Sequence, residues 1–178
     1  AEKAQVPVVT TLLGISTFDD DHVLALGMPG MHGMAYTNWA IDRADLIVAV
    51  GMRFDDRVTG RLSSFAPNAK VVHIDIDPAE VGKNVHVTVP IVGDAKRVLH
   101  ALVREVEPAT RPGWLQEIQE LREAHPSDRL RETDKLLPQH VVRELSEVTG
   151  GDAIVVTGVG QHQMWAAQFY KLNKPRTW

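Results

Sequence analysis

Residues 45–50, Asp-Leu-Ile-Val-Ala-Val, constrain the fold more than any other stretch of this chain. The run is apolar after its first residue, β-branched in part and too short for a helix, which is the pattern of a parallel strand buried on both faces. Polar chemistry begins immediately afterwards, with GMRFDDRVTG over residues 51–60. In open α/β sheets ligands sit beyond the carboxyl ends of the strands, and a glycine there lets the backbone come close to them. Arg53, Asp55, Asp56 and Arg57 crowd both signs of charge into five positions at that strand end. Two readings compete for the cluster: a solvated loop whose internal ion pairs contribute little, and the charged wall of a ligand site.

The rest of the chain favours the second reading. Residues 70–77 (KVVHIDID) form another strand that ends in acids, and residues 87–92 a third, which runs into Gly93-Asp94. An acid at such a strand end commonly takes a ribose hydroxyl. Asp75 is assigned to that role, and Asp77 to the N-cap of a helix begun by Pro78. Asp94 caps an amphipathic helix over residues 95–106. Residues 6–11 read as a short buried strand with Thr10 and Thr11 at its carboxyl end, and the backbone leaves the sheet at Leu12-Leu13-Gly14. Four strand ends therefore offer Thr, Gly-Arg, Asp and Gly-Asp groups, the layout of an extended ligand lying across a sheet edge. Before the organising strand, GMPGMHG over residues 27–33 spaces its glycines by three, unlike the G-x-G-x-x-G fingerprint. The loop is expected to turn its N–H groups toward a ligand, with His32 at the start of a helix over residues 36–43.

Length and composition bound the remaining possibilities. A chain of 178 residues fits one domain, or one with part of another. A net charge of −4 and a pI near 6.1 leave no footprint for nucleic acid or an anionic membrane. The absence of cysteine excludes disulfides, thiolate metal sites and a cysteine nucleophile, and suits a reducing compartment. No apolar run reaches the roughly 20 residues of a bilayer span, and Ala1-Glu2-Lys3-Ala4-Gln5 is not a signal peptide. A cytoplasmic protein is expected, or a plastid one if the source is a plant. Asp19-Asp20-Asp21-His22 invites a metal, but without a second ligand cluster it reads as a solvated loop, and no metal ligand is assigned.

Residues 107–112 read as a linker, 114–125 and 136–148 as helices, with Asp134 a cap for the latter, and Arg122, Glu123, Asp128, Arg129 and Arg131 as a solvated face. After Gly150-Gly151 a fresh strand is expected over residues 152–157, followed by GVGQHQMW, a glycine turn opening a helix whose N-terminus suits an anion. The fold class is thus α/β: an open parallel sheet with flanking helices, Rossmann-like, plus the first strand and helix of a second α/β domain. The chain begins just before a strand-like run and stops at Pro175-Arg176-Thr177-Trp178, so both ends read as cuts.

The motifs VTTL (9–12), GMPGMHG (27–33), GMRFDDRVTG (51–60), HIDIDPAEVGKN (73–84), PIVGD (90–94) and GVGQHQMWAAQ (158–168), in this order, closely resemble the acetohydroxyacid synthase (acetolactate synthase) catalytic-subunit family. The resemblance is weakest over residues 107–135. It implies condensation of two 2-ketoacids, pyruvate with pyruvate or 2-ketobutyrate, with decarboxylation, in branched-chain amino acid biosynthesis. It also implies thiamine diphosphate, magnesium and an FAD that does no net redox work. Residues 1–106 would be the central FAD-binding domain without its first strand, 107–135 a linker with a helix, and 136–178 the beginning of the thiamine-diphosphate domain.

By the same resemblance, FAD would contact Thr11, Leu12, Gly30, Met31, His32, Gly51, Arg53, Asp55, Arg57, Val58, Asp75, Ile76, Gly93, Asp94 and Ala95. Asp56 and Arg57 would also line the substrate channel. Val159, Gly160, Gln161 and His162 would hold the diphosphate of thiamine diphosphate. Arginine forks match phosphate geometry, so Arg53 and Arg57 would face the FAD pyrophosphate, and Asp55 would need a donor such as a ribityl hydroxyl. The family's catalytic glutamate and main magnesium motif fall outside the sequence, so no catalytic residue is assigned and the chain alone is expected to be inactive. The partners implied are 2-ketoacid substrates, a homodimer or tetramer of catalytic subunits and a regulatory small subunit. Competing readings are another thiamine enzyme, such as glyoxylate carboligase or pyruvate oxidase, a dinucleotide-binding module without chemistry, and a structural domain whose strand-end groups pair with each other.

Overall fold

The computed structural model describes residues 1–127, 129, 130 and 132–178. Its centre is a three-stranded parallel sheet in the order β1 (Leu46–Val50), β2 (Lys70–Asp75), β3 (Val89–Val92). Val50 lies opposite Ile74, and Asp75 opposite Val92. Parallel neighbours need a crossover between them, and here the crossovers contain no long helix. The helices are α1 (Ala35–Arg43), α2 (Asp56–Thr59), α3 (Ala95–Glu105), α4 (Pro112–Ala124), α5 (Pro138–Thr149) and α6 (Gln161–Phe169).

Local chemistry explains the helix ends. The Asp94 carboxylate accepts the Arg97 N–H at 2.9 Å and so caps α3 as the sequence predicts. Proline occupies the first turn of α4 and of α5, where its missing N–H costs nothing. Gly150, left-handed at φ +58°, ends α5. The residue preceding α5 is Leu137, so Asp134 is not its cap; Asp134 instead accepts from the neighbouring Thr133 hydroxyl.

Four expectations about strands and their surroundings are corrected. Residues 6–11 are extended but carry a single bridge, Val8 to Ala25, and do not join the sheet. Residues 152–157 form no strand: Val155 donates one backbone hydrogen bond to Thr177, while Ile154 and Val156 are exposed. Both stretches have strand composition, but a strand exists only where a neighbour completes its ladder. Nor is β1 buried on both faces. Ala49 packs with Phe54 and Val71, but Leu46, Val48 and Val50 face solvent. Pro78 begins a turn and not a helix, and the Asp77 carboxylate accepts the Ala79 N–H within it.

The other two cores lie off the sheet. Leu26, Met34, Tyr36 and Ala40 meet Ile118 and Leu121, so α4 packs on α1. Arg122 is therefore no part of a solvated face: it donates to the Ala25 carbonyl at 2.9 Å and lies over the Tyr36 ring. Glu123 and Arg129 are exposed, and Asp128 and Arg131 lie outside the described residues. Ile15 and Met28 meet Tyr170 and Leu172, which ties the segment after α6 to residues near the N-terminus.

Candidate functional site

The ends of the three strands lie side by side. Gly51 N–H donates to the Ile74 carbonyl and Gly93 N–H to the Asp75 carbonyl, both at 2.8 Å. Gly51, Asp75, Ile76, Gly93, Asp94 and Ala95 therefore share one edge, the carboxyl edge where α/β sheets place ligands. Asp75 is buried, and its Oδ1 accepts the Asp77 N–H at 2.9 Å; Oδ2 has no partner among the described residues. Ile76 is 72% exposed. The carboxylate of Asp94 is committed to its cap.

The charged turn leaves this edge at β1. Phe54 takes a left-handed φ of +51°, unusual for a bulky side chain, and is 2% exposed, with its ring edge-on to Phe65 and His73. Burying Phe54 turns its neighbours outward. Arg53 and Asp55 pair across 3.6 Å, and Asp55 caps α2 by accepting the Arg57 N–H at 3.1 Å. Asp55 thus finds its donors within the chain, and a ligand hydroxyl is not required. Asp56 and Arg57 are exposed, and Arg57 forms no ion pair among the described residues.

The glycine loop abuts this turn. A Cβ on Gly30 would lie 2.3 Å from the Arg57 carbonyl oxygen, and one on Gly33 would lie 2.1 Å from that of Met28. The spacing by three serves close backbone approach. Three of the loop's N–H groups, expected to point at a ligand, are spent within the chain. That of Gly30 donates to Asn38, that of Met31 to Arg57 O, and that of Gly33 to Gly30 O. Met31 and His32 are exposed above it, and the His32 carbonyl accepts from Gln168 of α6 at 2.6 Å. Thr10 donates its N–H to Gly27, so Thr11 follows the glycine loop and not the sheet edge, and Leu12 packs beside Ile15 and Met28.

Between loop, turn and α1 is a hollow of about 290 Å³, lined by Gly30, Met31, Asn38, Ile41, Asp42, Asp56, Arg57, Val58, Thr59, Gly60, Ser64, Phe65 and Ala66. A larger hollow of about 720 Å³ is an open surface along α3 and touches none of these residues. Gly160 precedes α6 with no side-chain cap, and Val159, Gln161 and His162 are exposed there.

The acidic triplet proves to be a tether. Asp20 accepts the Leu172 N–H at 3.0 Å, and Lys171 and Asn173 approach Asp21. Burial raises the Asp20 pKa above the ordinary carboxylate value, against the opposing effects of that hydrogen bond and of Lys171. No group of three or more metal-ligating side chains occurs among the described residues, and none of their helices is long and apolar enough to cross a membrane. Sequence reasoning missed Asn38, which lies in the expected helix after the glycine loop, and His73 and Asn84, whose only signal was their place inside the HIDIDPAEVGKN motif.

Comparison with known proteins adds the following. Residues 1–102 match the family described as thiamine pyrophosphate enzyme, central domain. The chain is similar to an acetolactate synthase large subunit from Mycobacterium tuberculosis, 50% identical over 185 residues, with all of this chain and 30% of that protein covered. It is 49% identical to the acetolactate synthase large subunit of Corynebacterium glutamicum, covering all of this chain and 29% of that protein. With acetolactate synthase 1, chloroplastic, of Zea mays the identity is 45%, over 99% of this chain and 29% of that protein. The chain thus spans about 30% of the length of these relatives.

Proposed function

The chain belongs to the thiamine pyrophosphate enzyme family, by its central domain, and on that premise we propose that it serves as the FAD-binding part of an acetolactate synthase catalytic subunit. The reaction is the decarboxylating condensation of pyruvate with pyruvate or 2-ketobutyrate, which feeds branched-chain amino acid synthesis. In this reading residues 1–106 are the central domain, 107–135 the linking segment and 136–178 the opening of the thiamine-diphosphate domain. The protein works in the cytoplasm, or in a plastid for a plant source, the latter supported by the chloroplastic relative of Zea mays. Subunits pair as a dimer or tetramer with a regulatory small subunit.

The observation that carries the proposal is the pair of exposed guanidiniums on the hydrogen-bonded turn at the carboxyl edge of the sheet. Arg53 has one carboxylate partner at 3.6 Å and is 67% exposed at its side chain; Arg57 forms no ion pair among the described residues. That donor set fits a pyrophosphate, and the open Oδ2 of Asp75 fits a ribose hydroxyl. Gly51, Gly93 and Ala95 let backbone approach along the edge, while Met31, His32, Val58 and Ile76 supply surface for the rest of FAD, with Thr11 and Leu12 beside the loop. Asp56 and Arg57, which line the hollow, face the substrate channel. At the start of α6, uncapped N–H groups of Gly160, Gln161 and His162 suit a diphosphate. Thiamine diphosphate, held with magnesium, supplies the electron sink for decarboxylation and carbon–carbon bond formation.

Flavin titration tests this. FAD added to the folded chain should lose fluorescence saturably, and Arg53→Ala or Arg57→Ala should weaken binding by about tenfold or more, since a charge-assisted hydrogen bond is worth roughly 1.5–3 kcal/mol. Equal binding by both variants, or none by a folded parent chain, overturns the FAD assignment. Activity is read separately, by placing residues 1–178 in the frame of the Mycobacterium tuberculosis relative and assaying acetolactate from pyruvate.

A further inference from the structure

At the corner of the charged turn, three consecutive carbonyls, those of Met52, Arg53 and Phe54, are all held by one other segment of the chain. His73, on β2 and fully buried, contacts the Met52 carbonyl through Nε2 at 2.8 Å. Its Nδ1 faces the Gly82 N–H at 3.5 Å, so Nδ1 is the acceptor and Nε2 carries the proton. The single amide nitrogen of Asn84 then donates to Arg53 O at 3.0 Å and to Phe54 O at 3.1 Å. These partners lie at the two ends of the HIDIDPAEVGKN motif, and neither had a reading from sequence.

Three held carbonyls fix the direction of the backbone where Phe54 adopts its left-handed conformation. With Phe54 buried, that direction decides where Arg53 and Asp55 project. We propose that Asn84, supported by His73, is a positioning residue: it sets the geometry of the Arg53–Asp55 pair and, through the Asp55 cap, of Arg57. The role rests on the FAD reading for its consequence, but not for its geometry. Asn84 donates both its amide hydrogens to backbone and is itself exposed, so its replacement removes the two bonds without opening a core.

The proposal separates from a merely structural role by a double-mutant cycle with flavin binding as readout. In the full chain, Asn84→Ala and the isosteric Asn84→Asp, which keeps the shape and loses the donors, should each weaken FAD binding about tenfold. In an Arg53→Ala background Asn84→Ala should cost clearly less than the roughly tenfold it costs in the parent chain, because one of the two arginines it positions is gone. Additive losses, or parent-like affinity in both Asn84 variants, overturn the proposal. A flavin-free measurement keeps it decidable if the parent chain binds no FAD, an outcome that sinks only the cofactor assignment. Amide exchange of Arg57, Val58 and Thr59 should accelerate about tenfold in Asn84→Ala, while residues 71–75 of β2 keep their protection. Unchanged exchange at 57–59, or equal acceleration in β2, overturns the positioning role.

Discussion

Replacing Gly30 by alanine should be among the most damaging single-methyl changes in the molecule. The added Cβ would sit 2.3 Å from the Arg57 carbonyl oxygen and 2.8 Å from Val58 Cα, at a φ of +91°. The first distance is more than about 1 Å inside ordinary van der Waals contact. The atoms met are backbone, so relief requires moving the loop away from α2, which breaks the 2.8 Å hydrogen bond from Met31 N–H to Arg57 O. A side chain in a left-handed conformation costs about 1–2 kcal/mol, overpacking about 1–3 kcal/mol, and the lost hydrogen bond about 0.5–1.5 kcal/mol. The expected destabilisation is therefore about 3 kcal/mol or more, read as a fall in the urea midpoint at unchanged slope. Gly150→Ala is the internal control. Gly150 is left-handed, at φ +58° and ψ +27°, but a Cβ there meets nothing within 4 Å, so only the conformational cost of about 1–2 kcal/mol applies. If the two variants unfold at the same urea concentration, close approach is not what Gly30 provides.

Three further outcomes are expected. Because burial raises the folded-state pKa of Asp20, the folded chain binds that proton more readily than the unfolded one; stability from this group should fall as pH rises from 3.8 through the folded value, and Asp20→Asn should flatten that part of a urea-midpoint pH profile. A profile of unchanged slope in Asp20→Asn would count against a buried carboxylate. Arg122→Ala should lower stability by about 1–3 kcal/mol by removing the bond to Ala25 O and the cation over Tyr36, whereas Arg129→Ala, at an exposed position, should stay within about 0.5 kcal/mol on thermal unfolding. Asn38→Ala should lower FAD affinity in the same titration, since its side chain accepts from Gly30 N–H at 2.7 Å and donates to Gly30 O at 2.9 Å, holding the loop that meets Arg57; parent-like affinity would show that the loop keeps its place without it.

What the sequence made legible follows the range of the forces involved. β1, β2 and β3 were readable because an apolar run bounded by charge and glycine is a local signal, and each found its partner in the sheet. Residues 152–157 carry the same signal, but a strand is a property of two segments, and there the pairing is one bond to Thr177. Caps divided in the same way. Asp94 was recoverable, since its acceptor and the Arg97 N–H lie three residues apart. Arg122 was not, because the Ala25 carbonyl and Tyr36 that hold it are remote in sequence.

The site shows the same division, with a consequence for how its charges work. Local pattern placed Arg53, Asp55 and Arg57 at a strand end correctly, and left open whether they pair with each other or with a ligand. The structure gives each a different answer. Asp55 is spent on its own helix and on Arg53, and Arg57 is left over. A carboxylate satisfied from within the chain repels an incoming phosphate less than a free one, because its charge is already shared with Arg53 and with the first turn of α2. In the proposed site Asp55 thus serves to aim two arginines. It can do so only while the backbone between them is held, which is the part of the arrangement that rests on Asn84 and Gly30, residues with no charge of their own.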